Sequence, residues 1–199
     1  TLCPTKLVKF LSWKEKIWKD HCLHDVKEDR AVFLIKDSDK GVVVDAIGAA
    51  QNSHHFLSVT KGGQSAIFET EGNPDCHLIL RGGPQPNYDM FSVDDACAAL
   101  VRAGLQESIM IDASHANSRK QPARQMAVAE DIASQLDRGD RRIIGVMLES
   151  FIEAGRQDVK NKDELVYGKS ITDPCMDWQQ TVETLRCLAT SVTERRNAP

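Results

Sequence analysis

Polar side chains end three consecutive apolar stretches of the sequence. The stretch that begins at Cys76 ends in Arg81, the next ends in His115, and the third ends in Glu149. If these stretches are parallel strands, their carboxyl ends converge on one mouth, where α/β folds place binding and catalysis. Asp173, just before the last predicted helix, is expected to reach the same rim. The sequence therefore predicts that these four polar residues share one site.

The residue types at this predicted mouth suit a divalent metal ion beside a bound anion. An imidazole together with carboxylates favours Mn, Fe or Zn over Ca. Arg81 is followed by two glycines, whose backbone N–H groups can approach an oxyanion such as phosphate. Lys61 and Lys169 are further candidate sources of positive charge.

Each of these residues also has a structural interpretation. A histidine at a strand end is more often a hydrogen-bonded structural residue than a ligand, Glu149 could cap the next element, and Arg81 could pair with a nearby carboxylate. Cys175 and Cys187 are interpreted as small apolar residues rather than ligands. The recurrence of polar ends on three successive strands favours a shared functional site.

The elements that must position these residues alternate between strand and helix. Short strands are predicted at 31–35, 76–81, 108–115 and 142–150. Helices are predicted at 42–51, 92–104, 121–139 and 177–196. Continuous apolar strands separated by helices indicate a parallel sheet covered by helices.

Three local patterns add detail to this plan. Ser92 is predicted to cap the helix at 92–104. Two alternating apolar stretches flank a Lys-Gly-Gly-Gln turn, which predicts a β-hairpin at 55–70. The inner face of the last helix is predicted to consist of Trp178, Val182, Leu185, Leu188 and Ala189.

The first 40 residues are interpreted as a separate segment. Residues 5–20 have a helical apolar period with lysines between and Thr5 as N-cap, and the short strand at 31–35 follows. One hypothesis is that this amphipathic helix covers an exposed face of the domain.

The composition excludes several classes of protein. Apolar residues make up 41% and charged residues 27%, with a net charge of −4, which predicts a globular core and no nucleic-acid or membrane surface. No apolar run approaches the roughly 20 residues that span a bilayer. Six cysteines form no CxxC pair, which favours reduced thiols in a cytoplasmic protein.

Four segments closely resemble motifs of the type I 3-deoxy-D-arabino-heptulosonate-7-phosphate synthases, the first enzymes of the shikimate pathway to aromatic amino acids. They read LSVTKGGQSAIFETEGNPDCHLILRGG, MIDASHANSRKQ, IIGVMLESFIEAGRQ and YGKSITDPC. They occur in the family's order, and the similarity extends from about Gly41 to Arg196.

This resemblance implies a (β/α)8 barrel that condenses phosphoenolpyruvate with erythrose 4-phosphate and needs a divalent metal (Mn, Fe, Co or Zn). It implies that His115, Glu149 and Asp173 are metal ligands and that Arg81 binds the phosphate of phosphoenolpyruvate. His115 and Arg81 are the expected catalytic residues, and Asp173 is also expected to contact substrate.

The resemblance also implies a regulatory role for the hairpin at 55–70. In the family such a hairpin lies outside the barrel and helps to form a pocket for an inhibiting aromatic amino acid. Phe56, Ser58 and Phe68 match positions that contact the inhibitor, although ordinary hairpin packing is an alternative interpretation.

Several family segments have no counterpart in this sequence. They include a Gly-Pro-Cys-Ser motif with a fourth metal ligand, a Lys-Pro-Arg-Thr segment for the aldose phosphate, and the Ala-Arg-Thr and Phe-Lys-Asn-Gly segments of the phosphoenolpyruvate site. The expected fold is therefore an α/β partial TIM barrel, comprising the last three βα units and the extra hairpin. Residues 41–199 form the matched part, and residues 1–40 are unmatched.

Three functions are compatible with this partial match. Because three strands cannot close a barrel, the chain is either a metal-dependent aldol-type transferase that works as a homo-oligomer, or an inactive truncated relative or fragment that associates with a full-length synthase. A different metal-dependent aldolase of the barrel class is a third alternative, which the four motifs disfavour.

Overall fold

The computed structural model describes residues 33–35 and 40–198 of the 199-residue chain. The predicted amphipathic helix at 5–20 lies outside the described residues, so the hypothesis that it covers the domain stays a prediction.

Strands and helices alternate along the described chain. The strands are β1 (Phe33–Ile35), β2 (His55–Val59), β3 (Ser65–Glu69), β4 (Leu78–Leu80), β5 (Ile109–Asp112), β6 (Ile143–Met147), β7 (Glu153–Arg156) and β8 (Lys169–Ser170). The helices are α1 (Lys40–Ala50), α2 (Met90–Arg102), α3 (Pro122–Asp137) and α4 (Trp178–Asn197), with a 3-10 turn at Lys162–Glu164.

A parallel sheet of four strands, in the order β1-β4-β5-β6, forms the centre of the fold. Leu78 of β4 pairs with Phe33 on one side and Ile109 on the other. Helices connect successive strands, as parallel pairing requires, so all four carboxyl ends lie at one edge. The predicted α/β class with parallel strands is confirmed. The sheet has one strand more than the three βα units expected, because β1 pairs with β4.

The core lies where the sheet packs against its helices. All three residues of β4 are fully buried, as are Ile109 and Ile111 of β5. Val93, Ala96, Cys97 and Leu100 of α2 and Val128, Ala129, Ile132 and Leu136 of α3 belong to the same apolar cluster. Burial of both faces explains why these strands are continuously apolar in sequence.

Helix α2 begins earlier than predicted. Asp89, not Ser92, is its N-cap: the Asp89 carboxylate accepts from the Ser92 backbone N–H at 3.1 Å and from the Ser92 hydroxyl at 2.7 Å. The prediction of Ser92 as the cap was wrong because a carboxylate three residues earlier satisfies the free N–H groups of the first turn.

The buried face of α4 agrees with the prediction at Leu188, and at Leu185, which is partly buried against the core, but otherwise differs. It consists of Thr181, Thr184, Leu188, Ser191 and Arg195, whereas Trp178 and Ala189 are exposed. The Thr184 hydroxyl donates to Gln180 O at 2.8 Å, and Arg195 Nη1 donates to Asp140 O at 2.7 Å. Polar side chains occupy this face because hydrogen bonds satisfy them there.

Hairpin β2–β3 is antiparallel with the predicted turn, and Phe56 lies directly opposite Phe68. The cysteines at 76, 97, 175 and 187 are free thiols; Cys175 is buried as predicted, but Cys187 is exposed on α4. Of the helices between residues 40 and 198, none has the length and apolarity needed to cross a membrane.

Candidate metal and anion site

His115, Glu149 and Asp173 meet at the carboxyl edge of the sheet. One ligand atom from each residue lies within 4.8 Å of the other two, and His115 Nε2 lies 3.5 Å from Glu149 Oε1. A cation about 2.1 Å from each donor atom would hold the donor atoms roughly 3–4 Å apart. The three side chains would therefore need only a small movement toward one another to bind one cation. One imidazole and two carboxylates fit Mn, Fe, Co or Zn; the ligand roles themselves stay a prediction.

Asp112, for which the sequence predicted no role, positions His115. This carboxylate at the end of β5 is fully buried, and its Oδ2 accepts from His115 Nδ1 at 2.7 Å. Its Oδ1 accepts from Ser114 N at 2.9 Å and from Ser114 Oγ at 2.5 Å. The Nδ1–H tautomer satisfies this carboxylate, and in that tautomer the lone pair of Nε2, 3.5 Å from Glu149 Oε1, is available to a metal. A charged residue inside an apolar strand was the sequence signal for it.

Gln125 of α3 holds the backbone of Glu149. Its side chain is 1% exposed, its Nε2 donates to Glu149 O at 3.1 Å, and its Oε1 accepts from Glu149 N at 2.8 Å. These two bonds fix the chain just after β6 and thereby orient the carboxylate. A glutamine on the inner face of a helix was the signal for this residue in the sequence.

Arg81 lies beside the same buried carboxylate. Its Nε is 3.7 Å from Asp112 Oδ2, and its side chain is 27% exposed. Arg81 therefore pairs with the Asp112 carboxylate, which is the alternative interpretation given above for this residue. The exposed part of the guanidinium is still available to an anion.

The two glycines after Arg81 do not offer their N–H groups to a ligand, which corrects the prediction. Gly82 N donates to Asn87 Oδ1 at 2.7 Å, and Gly83 N donates to Gln85 O at 3.0 Å. Gly82 has φ +72°, and a Cβ there would lie 2.8 Å from Asn117 Oδ1. These glycines therefore serve a tight turn rather than anion binding.

Asn117 joins this turn to the loop after β5. Its Oδ1 accepts from Asn87 N at 2.8 Å, while its Nδ2 donates to Leu80 O at 3.2 Å and to Asp112 O at 2.8 Å. The side chain thus fixes the loop of Arg81 against the loop of His115.

Lys120, rather than the predicted Lys61 or Lys169, accompanies the three candidate ligands. It lines a narrow recess together with Ser114, His115, Ser118, Gln125, Glu149, Asp173 and Pro174. Lys61 lies in the exposed turn of the hairpin and Lys169 in β8. Lys120 has φ +57°, and its N–H donates to His115 O at 2.7 Å, which closes the turn after His115.

The residues predicted to be regulatory share one face of the hairpin. The rings of Phe56 and Phe68 stack with centroids 5.9 Å apart and an angle of 15°. Their exposed fractions are 49% and 38%. Ser58 lies two residues along β2, and therefore on the same face as Phe56.

Comparison with known proteins places the chain in a family. A sequence model described as the DAHP synthetase I family matches residues 20–186, and the chain belongs to this family. The resemblance found in the sequence is confirmed. The match begins before residue 41, and the division of the chain at residue 40 stays a prediction.

Curated relatives support this assignment. The Phe-sensitive phospho-2-dehydro-3-deoxyheptonate aldolase of Escherichia coli strain K12 is 51% identical over 155 residues, covering 78% of this chain and 44% of the relative. The Trp-sensitive enzyme of Enterobacter agglomerans is 48% identical over 159 residues, covering 80% of this chain and 46% of the relative. The chain thus spans about half the length of the curated relatives it matches.

A solved structure shows the same likeness. The phospho-2-dehydro-3-deoxyheptonate aldolase from Francisella tularensis SCHU S4 superposes with a TM-score of 0.75 at 45% identity, covering 81% of this chain and 47% of that chain.

Proposed function

We propose that this chain supplies the metal-binding and phosphate-binding part of a 3-deoxy-7-phosphoheptulonate synthase, which condenses phosphoenolpyruvate with erythrose 4-phosphate. The observation that carries the proposal is the convergence of His115, Glu149 and Asp173 within 4.8 Å, beside Arg81, in a member of the DAHP synthetase I family.

Each residue would have a defined role in this reaction. A bound divalent cation would supply Lewis-acid polarisation of the aldehyde or activation of water. His115 would offer Nε2 to it because Asp112 holds the proton on Nδ1, and Glu149 and Asp173 would offer carboxylate oxygens. Arg81 would hold the phosphate of phosphoenolpyruvate and neutralise the charge that develops as C3 attacks the aldehyde, water adds to the substrate and inorganic phosphate leaves.

The first test is metal binding, measured by titrating Mn²⁺ into the purified chain in a calorimeter. We expect wild-type chain and the His55→Ala variant, whose histidine lies in the exposed hairpin, to bind Mn²⁺. We expect the His115→Ala variant to lose binding. A folded wild-type chain that binds no Mn²⁺, or a His115→Ala variant that binds as wild type does, would contradict the proposal.

Turnover then separates an active chain from an inactive one. The wild-type chain, Mn²⁺ and both substrates are incubated, and loss of enol absorbance and release of phosphate are followed, with His115→Ala as control. Turnover by the wild-type chain that the His115→Ala variant lacks would mean that the chain assembles a working site.

The second candidate function is association of an inactive relative with a full-length synthase. The match covers 44% and 46% of the length of the two relatives, so the rest of a working site would come from a longer chain. Metal binding without turnover, together with co-purification with a full-length synthase, would support it. Absence of a complex at micromolar concentrations would argue against it.

The hairpin is proposed as a contact for an aromatic amino acid. The support is the exposed, stacked pair Phe56 and Phe68 and the Phe-sensitive and Trp-sensitive names of relatives. We expect titration with Phe, Tyr or Trp to show binding that the Phe56→Ala variant loses and the Leu57→Ala variant, altered on the opposite face, retains. Equal binding by both variants would leave ordinary hairpin packing as the explanation.

A further inference from the structure

We infer that Asp112 is a positioning residue that couples the candidate metal site to the candidate anion site through one carboxylate oxygen. The inference rests on the proposed function and deepens it. Asp112 Oδ2 lies 2.7 Å from Nδ1 of the metal-ligand candidate His115 and 3.7 Å from Nε of the anion-site candidate Arg81.

The carboxylate has no access to water that could replace either partner. Asp112 is fully buried, and its second oxygen is occupied by the N–H and the hydroxyl of Ser114. Asn117 also binds the Asp112 backbone carbonyl at 2.8 Å. The side chain therefore cannot turn away, and a buried negative charge interacts strongly with nearby donors.

His115 and Arg81 compete for the negative charge of the same oxygen, Asp112 Oδ2. A cation on His115 Nε2 makes the Nδ1–H a stronger donor, which pulls the charge of Oδ2 toward His115. The attraction between Arg81 and Asp112 then weakens, and the guanidinium of Arg81 attracts a phosphate more strongly. Metal binding and phosphate binding should therefore assist each other, and the assistance is reciprocal.

The Asp112→Asn variant separates this role from a merely structural one. Co²⁺ binding is measured by visible absorbance and calorimetry, and inorganic phosphate binding is measured without metal, both on the full chain. We expect the Co²⁺ Kd to rise roughly 10–100-fold, as for other partners of metal-bound histidines. We expect the phosphate Kd to fall about 3–10-fold, because the negative charge beside Arg81 is gone.

A structural defect would instead weaken both ligands together, and that result would overturn the inference. So would an unchanged Co²⁺ Kd. The exposed Asp137 on α3 provides a matched control, and the Asp137→Asn variant should bind both ligands as wild type does.

The Ser114→Ala variant keeps the test decisive if Asp112→Asn does not fold. It removes the hydroxyl that holds Oδ1 and that also lies 2.7 Å from His115 Nδ1, and it keeps the charge of Asp112. We expect a Co²⁺ Kd raised about 2–5-fold, below the range for losing the carboxylate itself, with phosphate binding unchanged. An unchanged Co²⁺ Kd in this variant would overturn the inference.

The His115→Ala variant distinguishes failure of the proposed function from failure of the role of Asp112 alone. If the wild-type chain shows no Co²⁺ binding that depends on His115, the proposed function and this inference fail together. If His115-dependent binding is present and Asp112→Asn leaves it unchanged, the proposed function stands and only the role of Asp112 is lost.

Discussion

At the scale of single residues, buried polar side chains organise the candidate site. Asp112, Asn117 and Gln125 are exposed by 0%, 4% and 1%, and each bonds to a segment distant in sequence or to a candidate ligand. Breaking one such bond leaves a buried partner unsatisfied, which costs about 1–3 kcal/mol. We therefore expect these positions to tolerate substitution poorly.

A second residue-scale feature is the ion pair of Arg142 and Asp140 at the opposite end of β6. Arg142 Nη2 lies 2.7 Å from both Asp140 Oδ2 and Asp94 Oδ1. Burial raises the pKa of Asp140, but hydrogen bonds from Arg142 outweigh burial and hold the pKa below its ordinary value. These bonds raise the pKa of Arg142, so the arginine stays charged.

The Arg142→Ala variant is expected to lower the free energy of unfolding by about 1–3 kcal/mol at neutral pH. A depressed carboxyl pKa contributes stability that is complete above the unfolded value and is lost as pH falls through the folded value. Urea unfolding at several pH values should therefore show the difference from wild type shrinking only below about pH 4. The exposed neighbour Arg138 is the control, and Arg138→Ala should change stability by less than about 0.5 kcal/mol. A difference independent of pH would contradict this account.

At the scale of elements, the turn after β4 depends on glycine. Gly82 has φ +72°, and an added Cβ would meet Asn117 Oδ1 at 2.8 Å and Asn117 N at 3.0 Å. Both atoms belong to the residue that joins the two loops of the site, so strain there would displace Arg81 as well.

The Gly82→Ala variant is expected to lose about 1–3 kcal/mol of stability, because a side chain at positive φ is strained and displaces Asn117. Gly48 is the matched control: it lies within α1, and an added Cβ there meets nothing within 4 Å. Gly48→Ala should stabilise the chain by about 0.5–1 kcal/mol. Thermal unfolding of both variants provides the measurement, and equal shifts in the same direction would refute the role of Gly82.

At the scale of the whole molecule, the sheet ends on both sides in strands with one partner. β1 and β6 are its outer strands, and among the described residues neither pairs with a further strand in this sheet. Unpaired N–H and C=O groups on outer strands favour pairing with another chain. The expected homo-oligomer, or association with a longer synthase, stays a prediction.

We expect the purified 22.1-kDa chain to show a molar mass in light scattering that rises with protein concentration. Ile144 lies on the outer strand β6 and is partly buried, and Ile144→Lys should reduce the association because a charge on an outer strand disfavours pairing. Val101, exposed on α2, is the control, and Val101→Lys should associate as wild type does. A monomer at every concentration would show that the sheet edges do not drive association.

Local patterns in the sequence were sufficient for the strands of the central sheet, the hairpin, the four helices and the family, but not for β7 and β8. The strands that precede Arg81, His115 and Glu149, the hairpin and the four motifs were all predictable, because apolar periodicity, turn residues and motifs are properties of neighbouring residues. The same logic predicted that polar strand ends would lie at one edge of a parallel sheet.

Only the tertiary structure decided which distant groups satisfy one another. The Asp112 carboxylate positions His115, the Gln125 amide holds the Glu149 backbone, and Gly82 donates to Asn87 rather than to an anion. The pairing of β1 with β4 and the polar buried face of α4 also depend on residues far apart in sequence. Sequence periodicity does not encode such pairings, because they depend on which buried donors and acceptors the folded chain brings within hydrogen-bond distance.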